Sequence, residues 1–185
     1  MTAKTKRTEV ATLGSGCFWC SEAVFSLIKG VEKVESGYSG GHVENPSYER
    51  VSTGTTGYAE VVQLTFDPDV ISYREILEVF FATHDPTSLN RQGNDVGTQY
   101  RSVIFYHSRE QKETAEKLIS ELDSQKLWAT PIVTQIEPFK TFYRAEDYHR
   151  DYFKRHPEEA YCRFVIAPKI AKLQELYTSK LKPQI

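Results

Sequence analysis

EVATLGSGCFWCSEAVFSLI, residues 9–28, is the stretch that decides the fold class. EVATLGSG reads as a strand running into a glycine turn. From Phe18 onward, Phe18, Ala23, Val24, Leu27 and Ile28 recur at helical spacing until Gly30 stops them. A strand that feeds a helix through glycines sets Cys17 at the helix start, with Cys20 three residues on. Three readings are open: a Cys-x-x-Cys dithiol, half of a metal site, or one reactive cysteine with a second nearby. The dithiol reading predicts a lowered thiol pKa for Cys17, through the helix dipole and the unpaired amides of the first turn.

Outward from this stretch, helices and strands alternate irregularly. VEKVESGYSGG reads as a strand breaking into glycines, and NPSYERVSTG as a short helix or turn around Tyr48 and Val51. GYAEVVQLTFDP is a strand by its β-branched content and its closing Asp-Pro. Its period of two puts Tyr58, Glu60, Val62, Leu64 and Phe66 on one face, so Glu60 projects on the more apolar side. SYREILEVFFATHDP opens with the capping box Ser72 and Glu75 and carries Ile76, Leu77, Phe80 and Phe81 on one stripe. A second box, Ser108 with Gln111, starts a helix with Ala115, Leu118, Ile119 and Leu122 inward.

Between these helices, residues 87–100 lack apolar periodicity, as functional or mobile loops do, and RSVIFYH follows as a strand. PIVTQIEP reads as a strand, AEDYHRDYFKRH as a helix, CRFVIAP as a short extended run, and the chain closes with a helix from Pro168 or Lys169. This pattern argues for an α+β fold with helices packed on a mixed sheet.

Composition narrows the function classes. At 185 residues with 39% hydrophobic content, the chain suits one domain, residues 9–185, behind a polar tail of residues 1–8. Its 23 basic and 25 acidic residues nearly cancel and are dispersed, which argues against nucleic acid as a partner. No apolar run approaches the roughly 20 residues that span a bilayer, and MTAKTKRTEV lacks an apolar signal core. The expectation is a cytoplasmic monomer without membrane contact. Three cysteines, an odd number, do not suggest a disulfide framework. A structural zinc needs four ligands, and His42 and His84 supply no paired spacing, so no metal is expected.

Phe18 and Trp19 beside a thiolate offer an apolar platform suited to a methyl group. Glu60, if desolvated, would have a raised pKa and could donate a proton near neutral pH. Tyr48 and Tyr100 lie in polar, glycine-containing segments, and Asp95 by default forms a turn or a cap.

The ordered motifs GCFWCSEAVF, GYSGG, PSYERVSTGTTGYAEVV, FDP, HDPTSLNRQGNDVGTQYRS and AEDYHRDYF resemble the peptide methionine sulfoxide reductases of the A type, from about Leu13 to Ala167. Departures are small: Tyr58 stands where many members have histidine, and Cys20 where many have glycine. The resemblance implies a two-layer α/β sandwich with a mostly antiparallel sheet and a ferredoxin-like core. It implies Cys17 as the nucleophile that attacks the sulfoxide sulfur and becomes a sulfenic acid, and Phe18 and Trp19 as the pocket for the substrate methyl. Glu60 then protonates the sulfoxide oxygen with Tyr48 and Tyr100 bonded to it, Asp95 holds the substrate amide, and Tyr161 lines the site.

It further implies action on the S epimer, free or in proteins, with no bound cofactor and thioredoxin, or dithiothreitol in vitro, as reductant. Cys162, carried on a mobile segment around 156–168, is the implied resolving cysteine. Cys20 is the alternative, although two sulfurs in one helical turn need distortion to reach disulfide geometry. His84 reads as a cap or core hydrogen-bonder rather than a catalyst, and His149 as part of one face of a Tyr- and His-rich helix. The rival classes are a general thiol-disulfide oxidoreductase using Cys17 and Cys20, and a non-catalytic module that binds a methyl-bearing side chain.

Overall fold

A computed structural model describes residues 6–183. Residues 1–5 of the expected tail therefore lie outside the described residues, and of the remainder Lys6 pairs with Glu32 and Arg7 with Glu9. Eight strands and six α-helices follow in order: β1 Glu9–Ser15, α1 Phe18–Phe25, β2 Val31–Ser39, α2 Tyr48–Ser52, β3 Ala59–Phe66, α3 Tyr73–Ala82, β4 Arg91–Gln92, β5 Asp95–Val96, β6 Ser102–Tyr106, α4 Arg109–Ser124, β7 Gln135–Pro138, β8 Phe142–Arg144, α5 Tyr152–Arg155 and α6 Ala167–Tyr177.

One six-stranded sheet has the order β7-β6-β1-β3-β2-β8, antiparallel except for β6 with β7. β1 is central: it pairs with β3 from Glu9↔Phe66 to Leu13↔Val62, and with β6 from Thr12↔Phe105 to Ser15↔Ser102. The main core gathers Leu13, Val62, Leu64, Phe66 and Ile104 from the sheet, Phe25 from α1, Ile76, Leu77 and Phe80 from α3, and Leu118 from α4. On the opposite face Ala59, Val61, Val103 and Phe105 are covered by Phe139 and Phe142. The fold is α+β with a mostly antiparallel sheet.

α1 is buried nearly all round, including Ser21 and Glu22, as a helix lodged between sheet and C-terminal segment must be. The α3 capping box forms both ways, with the Ser72 side chain accepting from the Glu75 amide and Glu75 accepting from the Ser72 amide. At α4 only half the expected box forms. Ser108 caps the Gln111 amide, but the Gln111 side-chain oxygen accepts from the His107 amide rather than from Ser108, and its amide nitrogen donates to the Val10 carbonyl of β1.

Three further expectations are corrected, and one strand is added. Residues 87–100 hold a two-stranded hairpin, β4 with β5, and β8 forms an edge strand that its brevity concealed. AEDYHRDYFKRH is not one helix: a 3₁₀ turn at Asp147–His149 and left-handed Asp151 (φ 51) precede the short α5. CRFVIAP is helical, a π-helical turn Cys162–Ile166 that runs into α6, because its apolar residues pack on α1 rather than along a sheet edge. Among the described residues no helix is long and apolar enough to cross a membrane.

Candidate active site

The position of Cys17 follows from β1 and one glycine. After Ser15 the chain turns at Gly16 (φ 97), where a Cβ would lie 2.7 Å from the Gln92 Cβ, so both conformation and space require glycine. Cys17 then occupies the N-cap of α1 with extended backbone, 8% exposed, in a cluster with Cys20, Ala23, Cys162 and Ile166. All three cysteines are free.

Glu60, near the start of β3, reaches the same point. It is 2% exposed, and the Phe18 backbone N–H donates to its Oε2 at 3.0 Å. Burial raises its pKa to about 8, against the pull of the Phe18 amide, so at neutral pH the carboxyl holds its proton. Tyr48 and Tyr100 face the same two groups: burial and then the charge of Glu60 push both phenols up, Tyr48 to about 12. The structure therefore brings Cys17, Glu60, Tyr48 and Tyr100 together.

The expected lowering of the Cys17 pKa is corrected. Burial pushes this thiol well up, and its hydrogen bond with Cys20 and the Glu60 charge add to the rise, opposed by the Trp19 amide. A helix start sealed inside the protein loses more from desolvation than its dipole returns. Cys20 is instead held down, first by the hydrogen bond from Cys17 and also by the Lys169 charge. Cys162 has no exposure, and burial raises its thiol.

Phe18 and Trp19 part company. Phe18 is fully buried, its ring against Tyr38, Tyr48 and His149. Trp19 is half-buried and is fixed on several sides: its indole N–H donates to His149 Nδ1 at 3.0 Å, Tyr152 stacks on it at 3.7 Å and 4°, and Tyr161 meets it edge-on. Accepting at Nδ1 places the His149 proton on Nε2, which has no partner among the described residues, and burial lowers the ring's pKa. The Tyr161 hydroxyl donates to Asp95 at 2.6 Å and lies 3.7 Å from the Cys20 sulfur.

Glu146, His149 and Tyr152 escaped the sequence reading as site residues. Glu146 accepts from the Tyr38 hydroxyl, the Tyr48 amide and the Tyr148 hydroxyl, tying the C-terminal segment to α2. A clustering of Tyr, His and acid in AEDYHRDYF was the available signal. His84 is a core hydrogen-bonder: its Nδ1–H donates to the Phe80 carbonyl, so Nε2 accepts from Ser102, and burial lowers its pKa to about 3. Among the described residues no group of three or more His, Cys, Asp or Glu side chains is placed to hold a metal ion.

Residues 9–181 match the family model described as peptide methionine sulfoxide reductase. A relative from Saccharolobus solfataricus named peptide methionine sulfoxide reductase MsrA is 60% identical over 174 residues, 94% of this chain and 97% of its own. The solved reduced form of Mxr1 from Saccharomyces cerevisiae aligns with a TM-score of 0.80 at 38% identity, covering 88% of this chain and 93% of that one. Mxr1 in complex with Trx2 aligns with a TM-score of 0.57 at 28% identity, covering 82% and 89%. With a family model spanning the sheet, the thiol cluster and all of α6, the chain belongs to the peptide methionine sulfoxide reductases of the A type.

Proposed function

We propose that the chain reduces the S epimer of methionine sulfoxide, free or in proteins, through a sulfenic acid on Cys17. The observation that carries this reading is the meeting of a buried thiol with a carboxylic acid that keeps its proton up to about pH 8, aligned by the Phe18 amide at the start of α1.

The protons balance as follows. The Glu60 carboxyl gives its proton to the sulfoxide oxygen while the Cys17 sulfur bonds to the sulfoxide sulfur and its thiol proton passes to the Glu60 carboxylate. The sulfur–oxygen bond then breaks as the hydroxyl moves to Cys17, leaving Cys17–SOH, the thioether and a protonated Glu60. Tyr48 and Tyr100, with phenols held protonated, donate to the oxygen as its charge grows. Trp19 and Phe18 receive the methyl group, with Tyr161 closing the edge of Trp19.

Asp95 is the acceptor for the substrate amide, and the Tyr161 hydroxyl already occupies it. Substrate binding therefore displaces Tyr161 and loosens the π-helical turn that follows, so the segment around 156–168 swings and Cys162 leaves its burial to form the disulfide with Cys17. A second route is favoured by a specific contact: Cys20 shares a hydrogen bond with Cys17 and has a lowered pKa, which suits it to capture the sulfenic acid directly.

Thioredoxin then reduces the disulfide, and no bound cofactor takes part. The proposed setting is a cytoplasmic monomer in which residues 9–185 form one catalytic domain, a unit supported by the backbone bridge from Leu181 to Ile28. With dithiothreitol, the purified protein is expected to reduce the S and not the R epimer, and Cys17→Ser to abolish turnover. Turnover in the serine variant sinks the reading. Peptide mapping after one turnover without reductant separates Cys17–Cys162 from Cys17–Cys20.

A further inference from the structure

Trp19 is held by contacts from the C-terminal segment, and the backbone of that segment is held in turn by a buried acid on α1. Glu22 lies one turn beyond Trp19, on the same side of the helix, and is 6% exposed. Its Oε1 accepts the Asp151 backbone N–H at 3.1 Å. Asp151 has φ 51 and ψ 34, a left-handed conformation that costs a non-glycine residue energy and persists only where its surroundings impose it. The next residue, Tyr152, lays its ring parallel to Trp19 at 3.7 Å. Thus one helical turn carries both the ring that is stacked upon and the carboxylate that fixes the backbone of the stacking residue.

We propose that Glu22 is a positioning residue for the substrate's methyl pocket, setting the left-handed turn at Asp151 so that Tyr152 stacks on and orients Trp19. The inference rests on the pocket reading above. A buried carboxylate is costly unless its oxygens are satisfied, and here backbone amides satisfy it. Burial raises its pKa, while the Asp151 and Tyr152 amides and the Lys154 charge oppose the rise. Losing this acceptor leaves the turn free to relax to an ordinary conformation, which carries the Tyr152 ring off the indole.

The test uses the full chain with Trp128→Phe, which leaves Trp19 as the reporter among the chain's two tryptophans. Glu22→Ala is expected to raise KM for methionine S-sulfoxide roughly 3- to 10-fold, the worth of one aromatic stack, with kcat changed less than about twofold. The Trp19 emission should shift to the red. Glu22→Gln, which keeps an acceptor oxygen, restores KM and emission, and Glu22→Ala with Tyr152→Ala is no worse than Tyr152→Ala alone. Glu22→Met, which keeps the volume and lacks the acceptor, is measured in place of the alanine variant if that one does not fold. An unchanged KM, additive effects in the double variant, or an alanine variant with unshifted Trp19 emission overturns the inference. Failure of the pocket reading shows separately, as a Trp19→Ala enzyme whose KM for methionine S-sulfoxide equals the parent's.

Discussion

The strand–turn–helix that presents Cys17 and the C-terminal segment that surrounds it are built on different principles. β1 has a paired neighbour on each side, α1 is buried nearly all round, and Gly16 joins them. Residues 146–166 consist of a 3₁₀ turn, a left-handed Asp151, a four-residue helix and a π-helical turn, yet they supply Glu146, His149, Tyr152, Tyr161 and Cys162. Backbone ladders hold the first region in place. The second is anchored by side-chain bonds across to the first, Trp19 to His149 and Glu22 to Asp151, and by the bond from the Tyr48 amide of α2 to Glu146. The nucleophile and acid, which need a fixed geometry, sit on the ladders. Cys162, which the proposed function requires to move, sits where single bonds decide.

The comparison is sharpened first at Glu60. Glu60→Gln is expected to lower the single-turnover rate by roughly 10²–10⁴-fold, the usual worth of a positioned general acid, with Cys17 still open to alkylation in denaturant. In the parent enzyme the acid works while protonated, so its contribution is present below about pH 8 and is lost as pH rises through that value. The glutamine variant lacks this limb. A parent profile flat from pH 7 to 9 contradicts the assignment.

A comparable energy is at stake in the core on which the ladders pack. Phe80 is fully buried on α3, and Phe80→Ala is expected to cost about 3–5 kcal/mol in urea unfolding, by lost transfer energy and a residual cavity. If the same change alters the rate of Cys162 alkylation in the folded protein more than it alters stability, the two regions are not as separable as their construction implies.

The smallest effect lies in the C-terminal segment. Tyr161→Phe removes one hydrogen bond to a carboxylate and should speed alkylation of Cys162 in the free enzyme roughly tenfold. In a Cys17→Ser background, N-acetylmethionine amide should speed it likewise, with no further gain once Tyr161 is Phe. Slow labelling in the Phe variant removes the latch.

Much of the regular framework was legible because it depends on local periodicity. The face of β3 that carries Val62, Leu64 and Phe66 is the core face, as its alternation predicted, and Glu60 is buried at its end. The Ser72–Glu75 box is a purely local device and formed as read, whereas the Gln111 side-chain oxygen accepts from the His107 amide instead, while its amide nitrogen reaches the Val10 carbonyl, far off in sequence. The two-residue strands β4 and β5 are too short for any alternation to show. The lowered Cys17 pKa was a local inference from a helix start, and burial, which is not local, reversed it.

By itself the sequence determined the strand-to-helix turn at Gly16, the amphipathic faces of α3 and α4, and the residue types able to do thiol chemistry, because backbone preference and hydrophobic period act over a few residues. Only the tertiary structure decided which charges lose their water. It set Glu60 against the Phe18 amide, raised the Cys17 thiol, gave Asp95 to Tyr161 and turned Glu22 toward Asp151. Desolvation and hydrogen-bond partnership belong to groups brought together from distant parts of the chain, so they exist only once the chain has folded.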